Sequence, residues 1–99
     1  MNYIQKELIT DFDAILSSAS SGQIIYGYTN LENTSNIKGF PSDANGWGTV
    51  ITIGGRIGYL KLQMYISESN NNTTLYWRTR CDEGERWNKI IGTPIQKNS

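Results

Sequence analysis

The acidic side chains that could supply hydrolytic chemistry are Asp11, Asp13, Asp43, Asp82, Glu83 and Glu85. A glycosidase needs two carboxyl groups that face each other across a cleft, about 5–10 Å apart. Glu83 and Glu85 have the spacing to share one side of a strand, but they stand beside Asp82 and Gly84, which favours a solvated acidic turn. Asp11 and Asp13 suit the capping of a helix. We therefore expect no enzymatic activity.

The inventory of side chains excludes several other chemistries. The 99 residues contain no histidine, so neither a Ser-His or Cys-His catalytic pair nor an imidazole metal site can form. The single cysteine, Cys81, cannot form an internal disulfide and is too few for a thiolate zinc site. We expect no metal and no cofactor, with a carboxylate calcium site near Asp82–Glu85 left open as an alternative.

Aromatic and amide side chains are the candidates for binding a sugar, because aromatic faces cover sugar C–H groups and amides bond the hydroxyls. Trp47 is flanked by two glycines in the stretch Asn45-Gly46-Trp47-Gly48. It is therefore either a plug at the edge of the core or an exposed platform. Arg78, like Gln63, is either architectural or a ligand contact. The predicted ligand-binding residues are Asn45, Trp47, Tyr26, Tyr28, Tyr65, Tyr76 and Arg78.

One helix is predicted near the start of the chain. Ile4, Leu8, Phe12 and Ile15 follow a period of about 3.6, and Asp11 or Asp13 could cap a helix over residues 11–18. The small polar run that ends at Gly22 breaks it.

The rest of the chain has the period of two that is typical of strands. Strands are expected over residues 23–28, 49–53, 59–66 and 75–80, with a short last strand after Trp87. The expected fold is mainly β (α+β), a small antiparallel sheet of four to five strands with the helix. The predicted core consists of Trp77, Trp87, Leu60, Leu62, Met64, Ile51 and Ile53, with Ile66 on the same face of its strand.

A long loop at residues 30–48 interrupts this pattern. Turn-forming residues occur throughout it, with at most a short strand near Ile37. Loops of this length are usually functional or held by their own side chains, so recognition is expected here. A second polar turn is expected at residues 67–74.

Length and charge set the class of protein. We expect one domain over residues 1–99. Nine basic residues balance nine acidic ones, which argues against nucleic acid as the main partner. The sequence shows no apolar run that could span a bilayer and no signal peptide, and the lone thiol suits synthesis in a reducing cytoplasm.

The second half of the chain contains a Gln-x-Tyr element at Gln63–Tyr65, a Tyr-x-Arg-Thr element at Tyr76–Thr79, and a Trp-x-x-Ile ending at Trp87–Ile90. Together with Gly22 and Tyr26 upstream, this order resembles the knob domain of R-type pyocin tail fibres, a module found in phage tail-fibre and tail-tip proteins. The resemblance covers about residues 11–91. It departs from the family at Gly84, where a tryptophan is common, and in the loop 30–48.

The resemblance implies a phage or phage-like tail-fibre module that contacts glycans on the host-cell surface. It further implies a homotrimer, or a part of a larger tail assembly, located in the virion or tail particle after synthesis in the bacterial cytoplasm. The alternative is a small phage structural subunit that self-associates or binds another tail protein without recognising sugar.

Overall fold

The computed structural model describes residues 2–30, 34–55, 60–67, 74–80 and 86–98. The described elements, in chain order, are β1 (Asn2–Leu8), α1 (Phe12–Ser18), β2 (Gln23–Asn30), a 3-10 turn (Thr34–Asn36), β3 (Trp47–Gly54), β4 (Lys61–Ser67), β5 (Thr74–Arg80) and β6 (Asn88–Ile91). The predicted mainly β class with one helix is confirmed. The predicted strands 59–66 and 75–80 correspond to β4 and β5, and the last short strand to β6.

The strands form one six-stranded sheet in the order β1-β2-β3-β4-β5-β6. The pairs from β2 to β6 are antiparallel, as predicted, but β1 runs parallel to β2. The sheet is therefore mixed, and the expected count of four to five strands was too low. Parallel neighbours need a crossover connection, and α1 supplies it between β1 and β2.

Residues 2–8 form this additional strand, so the spacing of Ile4 and Leu8 does not mark a helix. Two apolar residues four positions apart also fit an edge strand, because β1 is exposed at most positions and needs no strict alternation. Lys6 and Glu7 place charges on this edge, which discourages pairing with other chains.

The helix α1 confirms the prediction for residues 11–18. The Asp11 side chain caps its start by accepting a hydrogen bond from the Ala14 amide at 2.9 Å. Phe12 and Leu16 are the buried residues of α1, one turn apart. The helix thus covers one face of the sheet, which we call the helix-covered face.

The core lies between this face and the segment 34–46. Its buried cluster consists of Ile9, Phe12, Ile37, Val50, Tyr65 and Tyr76, with Ile15, Phe40, Ala44 and Trp87 packed against it. The Phe12 ring lies 5.6 Å from the rings of both Phe40 and Tyr65, centroid to centroid, in tilted contacts that suit aromatic quadrupoles.

The predicted core was placed on the wrong face of the sheet. In β4 the buried residues are Gln63, Tyr65 and Ser67, whereas Leu62 and Met64 are half-buried on the opposite face and Ile66 is 45% exposed there. Leu60, just before β4, is also half-exposed. Ile51, Ile53 and Trp77 likewise lie half-buried opposite the buried Val50, Thr52 and Tyr76. Of the predicted core, Trp87 alone packs against the buried cluster.

The loop predicted at residues 30–48 is shorter than expected, because β2 extends to Asn30 and β3 begins at Trp47. A 3-10 turn and an isolated bridge between Asp11 and Lys38 order the described part of it, and the short strand expected near Ile37 is reduced to that bridge. Cys81, Asp82–Glu85 and most of the turn at 67–74 lie outside the described residues.

Candidate functional site

A buried polar network joins the two strand elements that define the family resemblance. Gln63 and Arg78 are register partners on β4 and β5, and the Arg78 Nε donates to the Gln63 Oε1 at 2.8 Å. The Gln63 Nε2 donates to the Phe12 carbonyl at 3.0 Å and to the Thr52 hydroxyl at 2.9 Å. Each side of the amide therefore has a partner, as a buried polar group requires.

Arg78 extends this network to the helix and to Trp87. Its Nη2 lies 3.0 Å from the Asp13 Oδ1, and its side chain is only 3% exposed. The guanidinium carbon also lies 4.7 Å from the centre of the Trp87 ring, in a cation–π contact. The planar, permanently charged guanidinium thus connects β5, α1 and the segment before β6.

Gly39 completes the enclosure of Arg78. Its φ is 74°, and a Cβ at this position would overlap the Asp13 carboxylate. Its carbonyl accepts a hydrogen bond from the Trp87 Nε1 at 2.7 Å. Glycine is therefore required here, both for the left-handed backbone and for the space beside Asp13.

Tyr65 anchors the end of the long loop from inside the core. Its hydroxyl donates to the Asn45 carbonyl at 2.5 Å and lies 3.1 Å from the Thr29 hydroxyl. The ring passes close to Gly48, where a Cβ would stand 2.6 Å from it. Tyr65 thus holds the loop against the sheet and is fully buried.

An open cleft of about 220 Å³ lies at the rim of the helix-covered face, between the loop and the edge formed by β5 and β6. Its lining residues are Pro41, Ser42, Asp43, Tyr76, Trp87, Asn88 and Lys89. Tyr76 and Lys89 are register partners, so both side chains emerge on the same face. The volume is below the roughly 300–1,000 Å³ of pockets for drug-sized ligands.

An exposed ion pair bridges the cleft. The Lys89 ammonium lies 2.5 Å from the Asp43 Oδ2. The hydrogen bond between these two side chains lowers the pKa of Asp43 below its ordinary value and raises the pKa of Lys89 above its ordinary value. Burial is the main cause that raises the pKa of Tyr76, and the hydrogen bond with Asp43 raises it further. At neutral pH the cleft therefore presents a carboxylate, an ammonium group and a neutral phenol beside the Trp87 ring.

The structure separates the predicted ligand-binding residues into two groups. Tyr65 and Arg78 are enclosed in the core, so neither is available to a ligand, and the architectural alternative for Arg78 and Gln63 is the one the structure supports. Tyr76, although mostly buried, reaches the cleft. Trp47, Tyr26 and Tyr28 belong to the opposite face of the sheet.

Trp47 is 43% exposed and is not a core plug. Its amide donates to the Asn45 Oδ1 at 2.8 Å, a local turn contact that sets the direction in which β3 begins. Asn45 thus has a structural role in addition to its exposure.

Sequence reasoning missed the cleft residues Asp43, Asn88 and Lys89 as a group. They are distant in the chain, and their meeting depends on the pairing of β5 with β6 and on the path of the loop. The signal that could have found them is the alternation in β6, which places Lys89 on the same face as Tyr76 once the register is known.

Among the acidic candidates, Asp11 caps α1, Asp13 pairs with Arg78 and Asp43 pairs with Lys89. Within the described ranges, no group of three or more His, Cys, Asp or Glu side chains is arranged to hold a metal ion. Nor does any helix in those ranges have the length and apolar character to cross a bilayer. Asp82, Glu83 and Glu85, with the calcium alternative, lie outside them.

Comparisons with protein-family models, with curated proteins and with solved structures each found no match.

Proposed function

We propose that this chain is a non-enzymatic receptor-binding module of a phage or phage-like tail fibre that contacts glycans on the host-cell surface. The observation that carries the proposal is the register of β4 and β5. It pairs Gln63 with Arg78 and Tyr65 with Tyr76, so the elements that resemble the pyocin knob form one continuous core motif. The resemblance then supplies the tail-fibre setting, within a virion or tail assembly.

The cleft at Asp43 and Lys89 is the proposed glycan contact. Carbohydrate recognition combines an aromatic surface with a few polar groups, and the cleft offers Trp87 and Tyr76 beside the ion pair of Asp43 and Lys89. Among the described residues that line the cleft, Asp43 is the single carboxylate, whereas glycoside hydrolysis uses two. Binding without turnover is therefore the function that this chemistry favours.

Binding to immobilised bacterial surface polysaccharides tests the proposal. Lys89→Met should weaken binding by about tenfold or more, because it removes the ammonium group that lies at the cleft. Lys6→Met is the matched control, since it removes the same charge from the exposed strand β1 and should leave binding unchanged. No released sugar should be detected after incubation.

Equal binding by the wild type and Lys89→Met would show that the cleft is not the glycan contact. Absence of binding to any host-surface polysaccharide would favour the second candidate function, a structural subunit that associates through protein contacts. The observation that favours this candidate is the apolar, half-exposed face of the sheet opposite α1.

A further inference from the structure

The second face of the sheet, which we call the open face, is formed by alternate residues of every strand. Register pairing aligns them in rows across the sheet. The rows are Tyr3, Ile24, Ile53, Leu62 and Thr79; Gln5, Tyr26, Ile51, Met64, Trp77 and Asn88; and Leu8, Tyr28, Thr49, Ile66, Leu75 and Ile90. None of these paired positions carries a charged residue.

The open face remains accessible to solvent in the single chain. Tyr28 is 44% exposed and Ile66 is 45% exposed, near the centre of their row, and Trp47 adds a similar exposed fraction at the end of β3. Antiparallel sheets with one solvated face alternate apolar and polar residues. This sheet is apolar on the face that no element among the described residues covers, which is the pattern of a sheet buried on both sides.

Two copies of the open face together approach the smallest area of a specific protein interface. Six strands at about 4.8 Å spacing and seven residues at about 3.3 Å give roughly 500–600 Å² of projected area. Two such faces together approach the roughly 1,200 Å² at which specific interfaces begin. This area is at the upper end of the roughly 300–600 Å² of the largest apolar patch on a typical monomer, and such a patch is often functional.

The absence of charge on the face favours a second copy as the occupant. A twofold interface brings the same surface of both subunits together, so any charged residue near the axis would meet its own copy. The open face has no charged residue at its paired positions, so two copies of it can pack together without bringing like charges into contact. Two twisted sheets also pack well when their strand directions differ by about 30°, with side chains interdigitating across about 10 Å.

We propose that a second copy of this chain packs its open face against the first, forming a two-sheet sandwich with twofold symmetry. The cleft at Asp43 and Lys89 lies on the helix-covered side of each copy, so it stays accessible in the pair. The proposal goes beyond glycan recognition and does not rest on it.

Sedimentation velocity with light scattering, from about 1 to 100 µM protein, tests the pairing. The wild type should reach twice the 11.2 kDa mass of one chain. Ile66→Lys should remain a monomer and weaken association at least 100-fold, because it buries a charge at the centre of the interface. Ile95→Lys is the matched control, since Ile95 is 89% exposed in the C-terminal segment, and it should pair like the wild type.

Tyr28→Glu is the second interface variant, and circular dichroism should show that both variants keep the wild-type fold because the substituted side chains are half-exposed. A wild type that stays monomeric at 100 µM would overturn the proposal. So would a folded Ile66→Lys and a folded Tyr28→Glu that both pair normally, or the mass of three copies that the tail-fibre resemblance implies.

Discussion

The two faces of the sheet are built on different principles. The helix-covered face buries polar side chains, and Gln63 and Arg78 meet there in a hydrogen-bonded network closed by Asp13 and Trp87. The open face has almost continuous apolar rows, with Ile66 and Tyr28 nearly half-exposed. In the single chain, the more polar of the two faces is therefore the one that is buried.

Which face of this thin sheet is buried depends on what covers each face. A buried amide is stable when all its groups have partners, and the partners of Gln63 come from α1, β3 and β5. The apolar rows are only partly buried in the single chain because no described element covers them. Their stabilisation depends on a second surface.

The largest expected effect comes from breaking the helix-covered face at its centre. Phe12→Ala should lower the free energy of unfolding by about 3–5 kcal/mol, because it removes a fully buried ring that contacts Phe40, Tyr65 and Trp87. Urea denaturation followed by circular dichroism measures this. Ile95→Ala removes exposed apolar surface and should leave the midpoint unchanged; an equal loss in both variants would contradict the assignment of the core.

Arg78→Lys tests whether the geometry of the buried network matters in addition to its charge. We expect a loss of about 2–3 kcal/mol, because lysine cannot bond Gln63 and Asp13 together or stack on Trp87. Arg80→Lys, two residues along the same strand, is the matched control and should cost less than about 1 kcal/mol because this side chain bonds the exposed Ser17. Similar losses in the two variants would mean that the network adds no specific stability.

Ser67 is a position on the helix-covered face where a smaller change in stability is expected. Its Oγ is buried without a hydrogen-bond partner within the described part of the chain. Ser67→Ala should therefore be neutral or stabilising, by no more than about 1 kcal/mol, because it removes an unsatisfied polar group. Thermal unfolding checks this, and a loss above that size would reveal a partner for the hydroxyl.

The smallest effect is expected at the exposed ion pair of the cleft. The hydrogen bond from Lys89 lowers the pKa of Asp43 in the folded protein. The ionised Asp43 therefore contributes stability above its unfolded pKa, which is about 4. That contribution is lost as the pH falls through the folded pKa, which is lower still. Solvent screening keeps it small. An NMR titration of the Asp43 carboxyl should show its pKa returning towards the ordinary value in Lys89→Met and unchanged in Lys6→Met.

The sequence predicted the elements better than the side of the sheet that forms the core. The helix at 11–18 followed from its caps and apolar spacing, and β3 followed from its period of two. In β4, however, Leu62, Met64 and Ile66 are more apolar than Gln63, Tyr65 and Ser67. Alternation identifies two faces but does not say which one a helix covers, so the apolar set was assigned to the core.

The same ambiguity of faces affects the predicted ligand-binding residues. Tyr65 was predicted to bind ligand and Arg78 was left open between an architectural role and a ligand contact, and the structure encloses both side chains in the core. Asp43 and Lys89 are 46 residues apart, and no local pattern connects them. Their contact depends on long-range pairing that a single sequence does not reveal.

Hydroxyl-radical footprinting of the wild type and Ile66→Lys at the same concentration, about 100 µM, tests the contrast between the two faces most directly. We predict that Trp47 and Tyr28 react several-fold less with hydroxyl radicals in the wild type than in Ile66→Lys, because a second copy covers the open face of the wild type. Trp87 at the cleft should react equally in both proteins. Equal reactivity of Trp47 and Tyr28 in the two proteins would contradict the claim that the open face is an interface.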